Sequence, residues 1–178
     1  MKDTVKNYIE IIAKDFQLND THSGFLGFIN IDPSDSGEYT EVSTELAKNW
    51  RKYETLLEEY GLYFESEPWG DEMIICKMLY KLDEDSANPV GTSLQGYLRG
   101  YSYSQLIEAF GKPTYNEPSG DDKVQFEWVF NFKGKTFTLY DWKTYDREYS
   151  MNELDTWNIG GKSWYGDFHD ALVKKLQK

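Results

Sequence analysis

Residues 122–143, DKVQFEWVFNFKGKTFTLYDWK, restrict the fold more than any other stretch of the chain. Val124, Phe126, Trp128, Phe130 and Phe132 alternate with Gln125, Glu127, Val129 and Asn131, the period of a strand that buries one face. Thr136 to Lys143 alternates as well, and Lys133-Gly134 between the runs supplies a two-residue turn in which Gly134 takes a positive φ. That loop length sets Trp128 opposite Leu139 and Phe130 opposite Phe137, so the large apolar groups share one face. Such a face needs a cover, and helical patterns lie on both sides of the hairpin.

Before the hairpin, SYSQLIEAFGKP reads as a short helix. Ser102 and Gln105 fit a capping box, Leu106, Ile107 and Phe110 form an apolar face, Gly111 stops the helix and Pro113 forbids its continuation. After it come a strand over 157–159, a Gly160-Gly161 turn and a closing helix over 167–176, with Phe168, Ala171, Leu172 and Leu176 on one side. Residues 93–98 add a strand. In the first half, 4–16 reads as an amphipathic helix, 23–31 as a strand, 32–40 as a loop, and 40–61 as a long helix carrying Leu46, Trp50, Tyr53, Leu57 and Tyr60. Strands at 62–66 and 73–82 flank a Pro-Trp-Gly-Asp turn. The segment DEDSANP, 83–89, marks a boundary. The expected architecture is α+β in two small modules, 1–88 acidic and 89–178 an antiparallel sheet with flanking helices.

Charge separates the halves. Residues 1–90 hold 19 acids and 8 bases, a balance of −11, whereas 91–178 hold 12 acids and 11 bases, a balance of −1. A field of that sign disfavours duplex DNA and favours basic surfaces, or serves solubility. Aromatic content of 17% argues against disorder. The single cysteine, Cys76, excludes an intramolecular disulfide and fits a reducing compartment. The N-terminal segment is interrupted by charge and no apolar run approaches a membrane span, so a cytoplasmic location without membrane contact is expected.

Three arrangements carry possible chemistry. Glu127, Asp141 and Lys143 superficially resemble the metal-binding core of a large nuclease class, in which carboxylates hold magnesium beside a lysine. The two-residue turn places Glu127 and Asp141 on opposite faces. A glycine bulge or three-residue loop would reunite them and split the apolar set. His22 and His169 have no partner at ligand spacing, so no zinc site is expected, and Cys76 reads as a small buried hydrophobe. Tyr140 and Trp142-Lys143 approach a pattern for stacking single-stranded nucleic acid, but it is short. No cofactor motif is present, and the balance falls against an enzyme.

The pieces GTSLQGYL, LIEAFGKP, DKVQFEWVF, TLYDWK and WNIGG, within 91–175, resemble a small domain recurrent in proteins of tailed phages and bacterial mobile elements. Its most specific parts here are Phe110-Gly111 with Pro113, Glu127-Trp128, Tyr140 to Lys143, and Trp157 with Ile159-Gly160-Gly161. Several small proteins resembling this type are anti-CRISPR inhibitors of the type II RNA-guided DNA nuclease. The resemblance therefore implies a non-catalytic inhibitor in a bacterial host cytoplasm, whose partner is the effector nuclease or its guide RNA complex. The acidic half then offers Glu54, Glu58, Glu59, Glu65 and Glu67 as contacts. The alternatives are a metal-dependent nuclease acting on guide RNA or DNA at Glu127, Asp141 and Lys143, or another host-takeover binding protein. Self-association as a homodimer stays open.

Overall fold

The alternating runs do form a hairpin, and the rest of the second half is arranged around it. The computed structural model describes residues 2–18, 28–31, 42, 45–46, 48–66 and 73–177. It is an α+β protein with two antiparallel sheets, divided into two units, Met1–Met78 and Leu79–Lys178.

The first unit contains α1 (Lys2–Leu18), β1 (Phe28–Ile31), α2 (Trp50–Glu59), β2 (Leu62–Ser66) and β3 (Met73–Lys77). The strands make a three-stranded sheet in the order β1-β3-β2. Val5, Ile9 and Ile12 of α1 are buried with Tyr53 and Leu57 of α2, Leu62 and Ile75, which is the apolar spacing expected of both helices. The Tyr60 hydroxyl donates to Glu10 Oε1 at 2.6 Å, tying the end of α2 to α1. The long helix expected over 40–61 is interrupted. Asn49 sits at φ −124°, ψ 26°, outside helical geometry, and its side-chain amide donates to Glu45 Oε2. The Asn49 N–H still donates to Glu45 O at 3.0 Å, so the break lies in the dihedrals of Asn49 itself, after which α2 starts afresh at Trp50. The expected loop at 32–40, the Pro-Trp-Gly-Asp turn, His22 and Glu67 lie outside the described residues.

The second unit contains β4 (Leu79–Lys81), β5 (Ser93–Arg99), α3 (Tyr103–Phe110), β6 (Glu127–Phe132), β7 (Lys135–Tyr140), α4 (Arg147–Asn152), β8 (Thr156–Gly161) and α5 (Gly166–Leu176). Its sheet runs β4-β6-β7-β8-β5. Trp128 pairs with Leu139 and Phe130 with Phe137, the expected register. Lys133 at φ 48° and Gly134 at φ 73° turn the chain, and Asn131 Oδ1 accepts from Gly134 N. Three expectations about this unit are corrected. The run 73–82 is not one strand: Met78 breaks it, its N–H donating to Gly61 O, and Leu79–Lys81 pairs instead with Phe130–Phe132 in the other sheet. A division at 88/89 therefore cuts inside the second unit, because β4 and the bond from Leu82 N to Val129 O belong to it. Gly160-Gly161 is not a turn but the end of β8. A Cβ at Gly160 would collide with the Thr138 hydroxyl, and one at Gly161 would lie 2.7 Å from the Phe137 ring, so bare backbone is needed for these close crossings.

One face of this sheet is the core. Trp128 and Trp157 are fully buried and meet edge to face with centroids 5.5 Å apart, while Phe137 stacks on Phe168 of α5 at 4.4 Å. Both indoles are satisfied, Trp128 Nε1 donating to Gly111 O and Trp157 Nε1 to Tyr101 O. Helix α3 is held at its start by the capping box, with Gln105 N donating to the Ser102 hydroxyl and Ser102 N to Gln105 Oε1.

Candidate functional site

Among the second unit's acids, Asp141 is the most constrained. It follows β7 on the core side, is 1% exposed, and its carboxylate is saturated by hydrogen bonds. Oδ1 accepts from the backbone N–H groups of Gln125 and Phe126 at 2.8 and 2.9 Å, and Oδ2 accepts from the hydroxyls of Thr144 and Ser150, both at 2.7 Å. The residue thus joins the start of β6, the 142–146 loop and α4. That loop is strained: Lys143 and Tyr145 hold φ values of 58° and 54°, which side chains other than glycine rarely adopt. Its result is outward presentation of Trp142 and Tyr145, with the ammonium groups of Lys123 and Lys143 6.0 and 5.7 Å from the Trp142 ring.

Glu127 lies on the opposite face. It pairs with Tyr140, next to Asp141 in the chain, and strand alternation sends the two carboxyl groups to different sides of the sheet. The structure does not bring Glu127, Asp141 and Lys143 together. Among the described residues, no group of three His, Cys, Asp or Glu side chains is placed to hold a metal ion. His169 Nδ1 lies 3.2 Å from Asp170 Oδ1, and its ring meets Tyr165 edge-on.

Burial pushes the Glu127 carboxyl up to about 7 from its ordinary 4.5. A folded form that holds its proton more tightly is favoured below pH 4.5, and this contribution is lost as pH rises through about 7. Thermal unfolding across that window should show the decline, and Glu127→Gln should flatten it. Nearby, Thr138 Oγ1 is buried without a hydrogen-bond partner, beneath the same face.

In the first unit, Glu54 and Glu59 of α2 are exposed and Glu58 is half-buried, away from the inward Tyr53 and Leu57. Glu65 pairs through its backbone with Ile74 in the sheet. Cys76 is half-buried in β3. The sequence reading missed α4 and with it the role of Asp141. The available signal was Asp146, whose carboxylate accepts from Glu148 N and Tyr149 N as an N-cap.

No helix among the described residues is long and apolar enough to cross a membrane. No protein-family model, curated protein or solved structure matches the chain.

Proposed function

We propose that the protein works by binding, as a phage or mobile-element inhibitor of the type II RNA-guided DNA nuclease that interferes with guide RNA or target DNA engagement. The observation carrying the non-catalytic part is the Asp141 carboxylate, whose two oxygens are occupied by two backbone N–H groups and two hydroxyls. A metal or an attacking water would have to displace bonds that hold the unit together. The target follows from the resemblance of 91–175 to phage-type domains and from the charge of −11 on residues 1–90. An RNA-guided nuclease holds its heteroduplex in a positively charged channel, to which an acidic protein is steered.

The test is target cleavage by guide-loaded type II effectors with and without the purified protein. Cleavage should fall and the protein should co-purify with the effector. Association should slow as salt shortens the Debye length from about 10 Å to about 3 Å, and charge reversal at Glu54, Glu58 and Glu59 should act on the on-rate. Undiminished cleavage by several effectors at saturating protein rejects the target. Magnesium- or manganese-dependent cleavage of DNA or RNA by the protein alone, lost in Lys143→Ala, would install the nuclease reading instead.

A further inference from the structure

The three helices of the second unit engage the core side of its sheet: α3 through Tyr103 and Phe110, α5 through Phe168, and α4 through Arg147, over Phe126, and Ser150, on Asp141. On the other side, register aligns one row straight across the strands. Tyr115 bridges Glu127, Glu127 pairs with Tyr140, Tyr140 with Asn158, and Asn158 with Tyr97. Directly opposed residues project to the same face with Cβ atoms about 5 Å apart, so a carboxyl stands between two tyrosine rings, with an amide and a third tyrosine beyond.

We infer that this row is a receptor for a cationic side chain, an arginine or lysine, on a protein partner. Charge complementarity favours this occupant. Glu127 is half-buried between aromatic groups, and among the described residues neither a cation nor a hydrogen-bond donor meets its carboxyl. The charged and titratable groups facing this region are Tyr115, Tyr140 and Tyr97, with Glu84 acting on Tyr115, Arg99 over the Tyr97 ring at 5.0 Å, and Lys123 and Lys143 at the ring of Trp142, which meets Tyr140 edge to face. None neutralises Glu127. An incoming guanidinium would take a bidentate bond from the carboxylate while its plane lies against tyrosine faces, and an ammonium would gain the same charge and ring contacts less specifically. Tyr97 at 43% exposed leaves the row open at one end. The inference rests on reading the protein as a binder of a basic partner.

The experiment is a titration of the full, isotope-labelled chain with acetylated hexa-arginine, followed by amide NMR shifts at pH 6 and pH 8. Shifts should concentrate on Tyr115, Glu127, Tyr140, Asn158 and Tyr97. Affinity at this row should rise by about an order of magnitude between the two pH values as the carboxyl ionises. Glu127→Gln, which keeps the shape of the side chain, should remove both the row's response and its pH dependence while leaving the spectrum otherwise folded. Tyr97→Ala should weaken binding without abolishing the pH dependence. Shifts confined to the first unit, or a row response unchanged in Glu127→Gln, would overturn the site. So would an oligonucleotide that moves the row when hexa-arginine does not. Cleavage assays separate the two readings: inhibition without a row response removes the receptor alone, and a row response without inhibition removes the proposed target alone.

Discussion

Trp128→Ala should lower the stability of the second unit by about 3–5 kcal/mol in chemical denaturation. The indole is fully buried in β6, packs edge to face on Trp157 and touches Tyr103, with ring centroids at 5.5 and 5.8 Å. Its removal leaves a void among rings that cannot collapse without moving α3, and it strips Gly111 O, at the end of that helix, of its donor. Trp128→Phe should recover much of the packing but not that bond. A Trp128→Ala protein with an unchanged midpoint would mean that the hairpin face does not carry the core.

Asp141→Ala is the other substitution of this size, about 3–5 kcal/mol, for an electrostatic reason rather than a volumetric one. Four donors lose their acceptor at once, two of them backbone N–H groups in the buried interior. The 142–146 loop also loses the anchor that offsets its left-handed residues, so trypsin should cut after Lys143 far faster than in the parent protein. Asp141→Asn should cost only about 1–2 kcal/mol: the amide oxygen can still accept both N–H groups, and the hydroxyls of Thr144 and Ser150 can rotate to accept from the amide nitrogen. Equal losses for Ala and Asn would contradict the hydrogen-bond account.

Local patterns were legible where one rule decided them. The hairpin register followed from a two-residue turn and a run of aromatics, and α3 followed from Ser102, Gln105 and Gly111, because capping and turn chemistry are short-range. Non-local choices were not. Nothing in MIICKMLYKL tells that Cys76 belongs to one sheet and Tyr80 to another, since both halves have strand composition and only pairing partners divide them. Gly160 looks like a turn residue until Thr138 and Tyr140 are placed across it. For the site, alternation correctly separated Glu127 from Asp141, but the structural use of Asp141 depended on α4, a helix of six residues with too little apolar periodicity to announce itself.

The passage from β3 to β4 through Met78 alone has a consequence for how such a chain can be divided and inherited. A recombination joint in the polar stretch 83–89, where sequence composition invites one, would transmit the second unit without Leu79–Lys81. The outer edge of β6 at Phe130–Phe132 would then be left unpaired, an open template for association with other chains. A joint just ahead of Leu79 transmits a sheet with that edge closed. The transferable piece of this protein is therefore set by the pairing of a three-residue strand, not by the linker-like sequence that follows it.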